Sequence, residues 1–291
     1  MTRPFTSTLP TSGFLALGNG GFRPLRQVQG TSIVSLGLQR RPASSLRGMV
    51  KPLRLENVAG VGATTTQVYY SRGVLVAQEF LNEGAWFELE ERTRAYNDAR
   101  TQALARLRAA AREVGALAVV DVHIRRGKLA QARRAIEFTA LGTAIASDRF
   151  EPGENEPIPL VGIGGVDFWK LVDSGTWPLG LVGGTSVVYV VSGYRTKFAR
   201  FRPARRSLRN QEYEDYTEGL RNARLRATGR LRHEATQLGA TGVIGIAVGR
   251  ERREQRDDNL MVTVDLLGTA VAPLDRGEPR QLTYALGLGN T

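Results

Sequence analysis

An internal repeat constrains this chain more than any other feature. From Tyr96 to Val122, apolar residues recur at steps of three and four, followed by a glycine and a short β-branched run. The same pattern returns 124 residues later, from Leu220 to Ile246. The spacing predicts an amphipathic helix with one buried stripe, and the β-branched run predicts a buried strand. The chain is therefore predicted to fold twice into a helix followed by a strand.

Individual residues of the two stretches coincide. The matched residues of the apolar stripe and its flank are Ala99 with Ala223, Arg100 with Arg224, Ala103 with Ala227, Leu107 with Leu231, and Ala111 with Ala235. Gly115-Ala116 matches Gly239-Ala240 after the last apolar turn, where a left-handed helix cap requires no Cβ. These glycines are predicted to end the two helices.

A second element repeats with a different spacing of 154 residues. The stretch 14–37 matches 168–193, with Gly30-Thr31-Ser32 aligned on Gly184-Thr185-Ser186. It predicts a short helix, a Gly/Pro turn, and a strand entered through Gly-Thr-Ser. Phe14 and Phe168 are predicted to anchor this element in the core. Residues 1–13 are predicted to form a loosely held arm.

Two strands are predicted after each long helix. They cover 116–124 and 135–146 in the first unit and 241–248 and 260–272 in the second. Charged hairpin tips, 125–134 and 250–258, separate them. Both second strands carry the sequence Leu-Gly-Thr-Ala, at 141–144 and 267–270, which includes Gly142, Thr143, Gly268 and Thr269.

The two spacings define the domain organisation. They differ by 30 residues, which predicts an insertion in the first unit within about 39–83. The predicted order is a first repeat over 1–150, a linker over 151–159, a second repeat over 160–272 and a tail over 273–291. The predicted fold class is α+β. Each repeat has a short helix and strand, then a long helix packed on a small, mostly antiparallel sheet.

These pieces resemble the YbjQ-like family of small bacterial proteins, which are often labelled as heavy-metal-binding. The resemblance lies in the Gly-Ala pairs at 115–116 and 239–240, the two Leu-Gly-Thr-Ala segments, and the segment 178–190 with its worn copy at 24–34. It implies an α+β domain with no established activity that assembles into a ring, usually of five subunits. With two domains in each chain, five chains are expected to form two stacked rings rather than one ring with alternating domains.

The family label makes metal binding an alternative that the residues themselves disfavour. Soft and borderline metals require Cys or His ligands, yet the chain has no Cys and only His123 and His233. The two histidines do not occupy equivalent repeat positions, and neither has a second His at i+3 or i+4. We therefore expect no specific metal site and no cofactor.

Catalytic motifs are also missing from the sequence. It has no Gly-x-Ser-x-Gly elbow and no phosphate-binding Walker loop, and Gly162-Ile163-Gly164-Gly165 is interpreted as a turn. Two acidic clusters are predicted to lie at the positive N-terminal ends of the long helices rather than to act as acid–base pairs. These clusters are Glu88, Glu90 and Glu91, and Glu212, Glu214 and Asp215. The sequence therefore predicts a protein that is not an enzyme.

Positive charge is the remaining functional signal. The net charge is +12 and the sequence pI about 10.6, and only four of the 40 basic residues are lysine. A polyanionic partner such as nucleic acid would explain it, and so would an arginine-rich genome. The best candidate for polyanion binding combines arginines, a lysine and two aromatic residues. Its members are Arg195, Lys197, Phe198, Arg200, Phe201, Arg202, Arg205, Arg206 and Arg209.

The chain shows no apolar run long enough to span a membrane and no secretion signal at its start, which predicts a cytoplasmic protein. The leading hypothesis is a non-enzymatic scaffold or binding protein of unknown ligand that forms a homo-oligomeric, five-fold ring, with a further protein or nucleic acid as its candidate partner. The alternatives are a nucleic-acid-binding protein that uses residues 195–209 and a metal-binding protein of the kind the family label suggests.

Overall fold

The computed structural model describes residues 6–35, 52–53, 68–71, 74–76, 85–128, 135–150, 157–192, 212–248, 252–256 and 259–274. In these ranges the fold is α+β, with helices packed on antiparallel sheets, as predicted. We call the described residues between 6 and 150 the first unit and those between 157 and 274 the second unit.

The first unit is built around a three-stranded antiparallel sheet of order β1-β7-β6. Its elements are α1 (Thr11–Asn19), β1 (Phe22–Ser35), α2 (Glu90–Glu113), β6 (Ala118–Lys128) and β7 (Ala135–Ser147). Three short strands of the insertion pair with one another: β2 (Pro52–Leu53), β3 (Val68–Ser71) and β4 (Val74–Val76). The other predicted features of the insertion lie outside the described residues.

The second unit repeats this order around a five-stranded sheet. Its elements are α3 (Gly165–Asp173), β8 (Thr176–Val191), α4 (Glu214–Gln237), β9 (Gly242–Val248), β10 (Arg252–Arg256) and β11 (Asn259–Pro273). The strand order is β10-β11-β8-β5, and β9 also pairs with β11. Strand β5 (Ala85–Glu88) precedes α2 in the chain, yet it pairs with β8 of the second unit.

The two long helices follow the predicted pattern. Ala99, Ala103, Leu107 and Ala111 of α2 are fully buried, and the matching residues of α4 are buried to within 6% exposure. Gly115 and Gly239 follow the helices with φ values of +68° and +69°, which confirms both left-handed caps. The helices begin at Glu90 and Glu214, within the acidic clusters predicted to lie at their N-terminal ends.

Close backbone approach explains the glycine of each Gly-Thr-Ser segment. A Cβ on Gly30 would lie 2.2 Å from the Ala103 carbonyl oxygen of α2. A Cβ on Gly184 would lie 2.0 Å from the Ala227 carbonyl oxygen of α4. Only glycine lets each long helix settle this closely on its strand.

Several predicted details are wrong. Strand β1 begins at Phe22, well before Gly30, and β10 lies within the span predicted to be a charged tip. Residues 6–13 do not form a loose arm, since the Thr8 amide donates to the Thr143 hydroxyl at 3.0 Å and α1 begins at Thr11. The apolar cluster around α2 also includes Leu160 and Leu181 from the second unit.

Candidate functional site

The candidate functional site is the contact between the two units, which we call the seam. Residues 157–163, which we call the seam segment, run parallel to the outer edge of β6. Val119 donates to the Pro159 carbonyl at 2.9 Å and accepts from the Val161 amide at 2.8 Å. Val122 and Asp121 donate to the Val161 and Ile163 carbonyls at 2.9 and 3.0 Å. The second unit therefore adds a strand to the sheet of the first.

A bulge in β6 creates this donor pattern. Asp121 has a φ of +56°, and the register of β6 on β7 shifts between Val120 and His123. The amides of two successive residues, Asp121 and Val122, consequently point toward the seam segment. Gly142 of β7 lies under the bulge, where an added Cβ would come 2.6 Å from a Val119 methyl group.

The Leu-Gly-Thr-Ala signature positions the seam segment. The Thr269 hydroxyl of β11 accepts a hydrogen bond from the Gly162 amide at 3.0 Å. In the first unit the Thr143 hydroxyl accepts the equivalent bond from the Thr8 amide. Gly268 repeats the role of Gly142, since its added Cβ would come 2.6 Å from a Val243 methyl group. Both signature threonines thus hold the segment that precedes a short helix.

The first unit in turn contributes a strand to the sheet of the second unit. Strand β5 covers the outer edge of β8, and α2 extends this cover with side chains from its first turns. The Thr93 hydroxyl accepts from the Val187 amide at 3.0 Å. The Asn97 side chain accepts from the Thr185 amide at 3.1 Å and donates to the Thr185 carbonyl at 3.2 Å. The first unit therefore completes the sheet of the second.

Glu88 is the electrostatic centre of this edge. Its buried carboxylate receives two hydrogen bonds from Arg230 at 2.8 and 2.9 Å and others from Arg226 and Ser186 at 3.0 and 2.6 Å. Burial raises the pKa of Glu88, but the bonds from Arg230 and Ser186 and the nearby arginine charges outweigh it and hold the pKa below its ordinary value.

This arrangement corrects the prediction for Glu88. It lies at the end of β5, outside α2, and joins the two units instead of interacting with the N-terminus of the helix. Glu90 and Glu91 do occupy the first turn of α2, as predicted, and Glu214 and Asp215 occupy the first turn of α4.

Arg100 and Glu234 form a further ion pair across the seam, between α2 and α4. Burial lowers the pKa of the Arg100 guanidinium, while the carboxylates of Glu234 and Asp265 oppose that shift. Above the pair, the two helices border a cleft of about 620 Å³ whose lining includes Arg94, His233 and Glu234. The lining of the cleft carries both charge signs, because glutamates and arginines contribute to it together.

Aromatic side chains fill the remainder of the seam. Phe168 of α3 is 0% exposed and meets the ring of Phe22 edge-on, at 5.1 Å between centroids. Phe150 stacks on Phe22 at 5.8 Å and lies 5.4 Å from Trp177. Phe168 is therefore the core anchor that the sequence predicts. The prediction is wrong for Phe14, which is 41% exposed, because no third unit lies beside α1 within the described chain.

The two covered edges have open counterparts at opposite ends of the molecule. In the described residues, β9 pairs with β11 alone and β1 pairs with β7 alone. Val122 of β6 is 5% exposed, whereas the matching Ile246 of β9 is 53% exposed. Ile33 of β1 is also exposed, whereas the matching Val187 of β8 is fully buried. Large apolar residues therefore reach solvent where the repeat predicts a neighbour.

Comparison with known proteins identifies the family. A sequence model described as "Putative heavy-metal-binding" and named YbjQ matches residues 79–148 and 179–273, more than half of the chain. The chain belongs to the YbjQ-like family. The two matched regions fall on the two units, so this chain carries the YbjQ-like domain in tandem.

A curated relative extends the comparison beyond the family match. The Encapsulin nanocompartment protein Rv1762c of Mycobacterium tuberculosis is 28% identical over 249 residues. The alignment covers 84% of this chain and 77% of the relative. It is therefore similar along most of the length of both proteins.

The described side chains provide no cluster that fits the heavy-metal label of the YbjQ-like family. Within the described ranges, no three His, Cys, Asp or Glu side chains converge as a metal site would require. His123 lies 3.0 Å from the Asp121 carboxylate, and His233 contacts Gln237 on the exposed face of α4. The chain also contains no cysteine for a thiolophilic metal.

The predicted polyanion site at 195–209 lies outside the part of the chain that the structure describes. Residues 275–291 of the predicted tail also lie outside it. Of the predicted signature residues, Thr143 and Thr269 have the anchoring role given above, and Gly115 and Gly239 cap helices. Among the helices described, none is both long and apolar enough to cross a bilayer.

Sequence reasoning missed Glu88, Thr93 and the seam segment as contact residues between units. The signal available for the seam segment was the apolar pattern Ile158, Leu160 and Val161 inside a stretch interpreted as linker and turn. For Glu88, no such signal was available. The repeat matches Ser186 with Ser32, and this match does not indicate that Ser186 donates to the Glu88 carboxylate.

Proposed function

We propose that this tandem YbjQ-like protein is a non-enzymatic scaffold that assembles with copies of itself into a ring. The observation that carries the proposal is the exposure of apolar residues at the two open sheet edges. Exposed strand edges promote pairing with another chain, and full burial of one such side chain contributes about 1.5–3 kcal/mol. The name of the relative, an encapsulin nanocompartment protein, also supports a role in assembly.

The arrangement of the units bears on the form of the ring. The units lie side by side and exchange edge strands, so the same contact can continue from chain to chain. This favours one ring with alternating units over two stacked rings. Five chains is the number that the family resemblance implies. We keep residues 1–150 and 160–272 as the proposed domain bounds and the cytoplasm as the proposed location.

A scaffold role also suits the chemistry at the seam. The carboxylates of Glu88 and Glu234 are each bonded to arginines of the opposite unit, and for Glu88 these bonds hold the pKa below its ordinary value. A general acid or base requires a carboxylate that can exchange a proton near neutral pH, and the lowered pKa of Glu88 opposes this. The polar groups of the seam therefore serve assembly of the chain rather than catalysis.

Native mass spectrometry of protein purified at moderate salt tests the proposal. We expect a dominant species with the mass of five chains, together with smaller species on dilution. A monomer at all concentrations would refute the scaffold role. Additional mass from metal in a fixed ratio to the chain would instead support the metal-binding alternative.

Nucleic-acid binding is the second proposed function, because the net charge is +12 and residues 195–209 combine basic and aromatic side chains. Binding through phosphates would weaken steeply with salt. Replacing Arg200, Arg202, Arg205 and Arg206 by Ala should abolish it. A matched variant with Ala at four exposed helix arginines, Arg94, Arg112, Arg221 and Arg232, should retain most binding. Equal losses would show that total charge, and not this segment, is responsible.

A further inference from the structure

Each covered edge of the seam has an open equivalent at the other end of the chain. We infer that a second copy of this chain docks its residues 6–9 and α1 on the open edge of β9, repeating the seam between chains. The inference rests on the proposed self-assembly and specifies its geometry. The partner is the same chain, and the contact is head to tail because its two halves are different surfaces.

The backbone of β9 has the same register and bulge that β6 uses in the seam. Its register on β11 places Val243 opposite Ala270 and Ile244 opposite Thr269, as β6 places Val119 opposite Ala144 and Val120 opposite Thr143. Gly245 has a φ of +60°, which reproduces the bulge at Asp121. By this equivalence the amides of Val243, Gly245 and Ile246 point away from β11, toward an incoming strand.

The incoming segment is already held in position. Residues 6–9 align with 160–163 of the seam segment, and the Thr8 amide bonds to Thr143 as the Gly162 amide bonds to Thr269. In the equivalent pairing, Ser7 bonds to both Val243 and Ile246 of the neighbouring chain. The Leu9 carbonyl accepts from Gly245. Little ordering is needed on association, which lowers its entropic cost.

The apolar residues at the two open ends complement each other. Phe14 and Leu15 of α1 are exposed, and they align with Phe168 and Trp169 of α3. Phe168 is buried in the seam, and Trp169 packs so closely on the first unit that a Cβ on Gly20 would lie 2.3 Å from its ring. Across the gap, Ile244 of β9 aligns with Val120, which packs in the cluster of Phe168. The exposed Ile246 aligns with Val122, which packs in the cluster of Leu160.

The open edge of β1 supplies the other half of the contact. Ile33 aligns with Val187, whose amide donates to Thr93. Thr93 aligns with Thr217 of α4, which is exposed. The repeated seam therefore places the Thr217 hydroxyl of one chain at the Ile33 amide of the next.

The contact between chains is weaker than the seam within the chain. Leu160 and Leu181 of the seam are buried, whereas the aligned residues Thr6 and Gln27 are polar. Less apolar area is therefore buried at the repeated seam. This difference makes the contact between chains the reversible step of assembly.

Two complementary variants test the inference. Phe14→Asp blocks the surface of residues 6–9 and α1, and Ile246→Asp blocks the open edge of β9. Leu225→Asp places the same charge on an exposed apolar residue of α4 away from both surfaces. We expect each blocked variant to self-associate about 100-fold more weakly, because a charge would be buried in the contact. Leu225→Asp should assemble like the wild type. Mixing the two blocked variants should give a heterodimer that grows no further.

The outcomes separate the two proposals. A wild-type chain that is monomeric refutes the self-assembly. An oligomer that survives both Phe14→Asp and Ile246→Asp leaves the scaffold role intact but refutes this contact. A pair of blocked variants that fails to form a heterodimer, although each is folded by circular dichroism, also refutes the head-to-tail geometry.

Cross-linking provides a test that does not depend on disruptive variants. The chain has no cysteine, so Thr6→Cys with Val243→Cys introduces one pair at positions equivalent to the paired residues Leu160 and Val119. Oxidation should yield a ladder of covalent oligomers on a non-reducing gel. Leu160→Cys with Val119→Cys is the matched control and should give only a cross-linked monomer. The absence of a ladder, with the control cross-linked, would contradict the contact.

Discussion

Strands β6 and β9 share a register, a bulge and a signature threonine on the neighbouring strand, yet they differ in environment. Strand β6 is covered by the seam segment, and its Val122 is 5% exposed. Strand β9 is open, and its Ile246 is 53% exposed. The local sequence predicts an apolar strand in both places. The comparison shows that the burial of each edge strand depends on whether another segment packs against it.

The largest expected difference comes from placing a charge on each edge. Val122→Asp should destabilise the chain by about 4 kcal/mol or more, because the variant loses buried apolar area and buries an unpaired carboxylate. Ile246→Asp should cost less than about 1 kcal/mol in the monomer because its side chain already meets water. Urea unfolding at low protein concentration measures both. Equal losses would show that the two edges do not differ as described.

The short helices offer the second comparison. Phe168→Ala should cost about 3–5 kcal/mol, the range for removing a buried aromatic ring. Phe14→Ala should cost about 1 kcal/mol or less in the monomer, because the ring of Phe14 is partly exposed. Guanidinium unfolding of the two variants provides the values. A large loss for Phe14→Ala would mean that α1 already has a buried anchor without a second chain.

Glu88 and its aligned residue Glu212 extend the comparison to charge. Glu88→Gln should cost about 1.5–3 kcal/mol at pH 7 because Glu88 is bonded to two arginines across the seam. Glu212→Gln should have little effect on the monomer, since Glu212 is exposed. Unfolding free energies of the three proteins at several pH values give the measurement.

The pH dependence of the Glu88→Gln effect has a defined sign. The folded-state pKa of Glu88 is below its ordinary value, so its ionised form contributes stability above the pKa of the unfolded chain, about 4.3. This contribution is lost as the pH falls through the folded-state pKa. The difference between wild type and Glu88→Gln should therefore shrink below about pH 4. A constant difference would argue against an ionised Glu88 in the seam.

The smallest effect is expected at the threonines of the long helices. Thr93→Val leaves the buried Val187 amide without its acceptor and should cost about 1–2 kcal/mol. Thr217→Val should leave monomer stability unchanged within about 0.5 kcal/mol. It should nevertheless weaken assembly of the full chain, which analytical ultracentrifugation can measure. Unchanged assembly would remove Thr217 from the contact between chains.

Features that depend on the local sequence were predictable. The stripe on α2 and α4 follows from side-chain spacing, and the caps at Gly115 and Gly239 follow from the conformational freedom of glycine. Glu88 was misplaced because an acidic cluster ahead of a helix suits the helix dipole equally well. Its partners Arg226 and Arg230 lie 138 and 142 residues away, and no local pattern connects them.

The sequence by itself determined that the fold is a tandem repeat, where its long helices end, and that its strands are apolar, because these properties depend on side-chain periodicity and backbone conformation. Only the tertiary structure decided that 157–163 would cover β6, that β5 would join the sheet of the second unit, and that Phe14 would remain exposed although Phe168 is buried. These outcomes depend on how one unit lies against the next. Aligned residues of the two units therefore experience different surroundings despite a shared local sequence pattern.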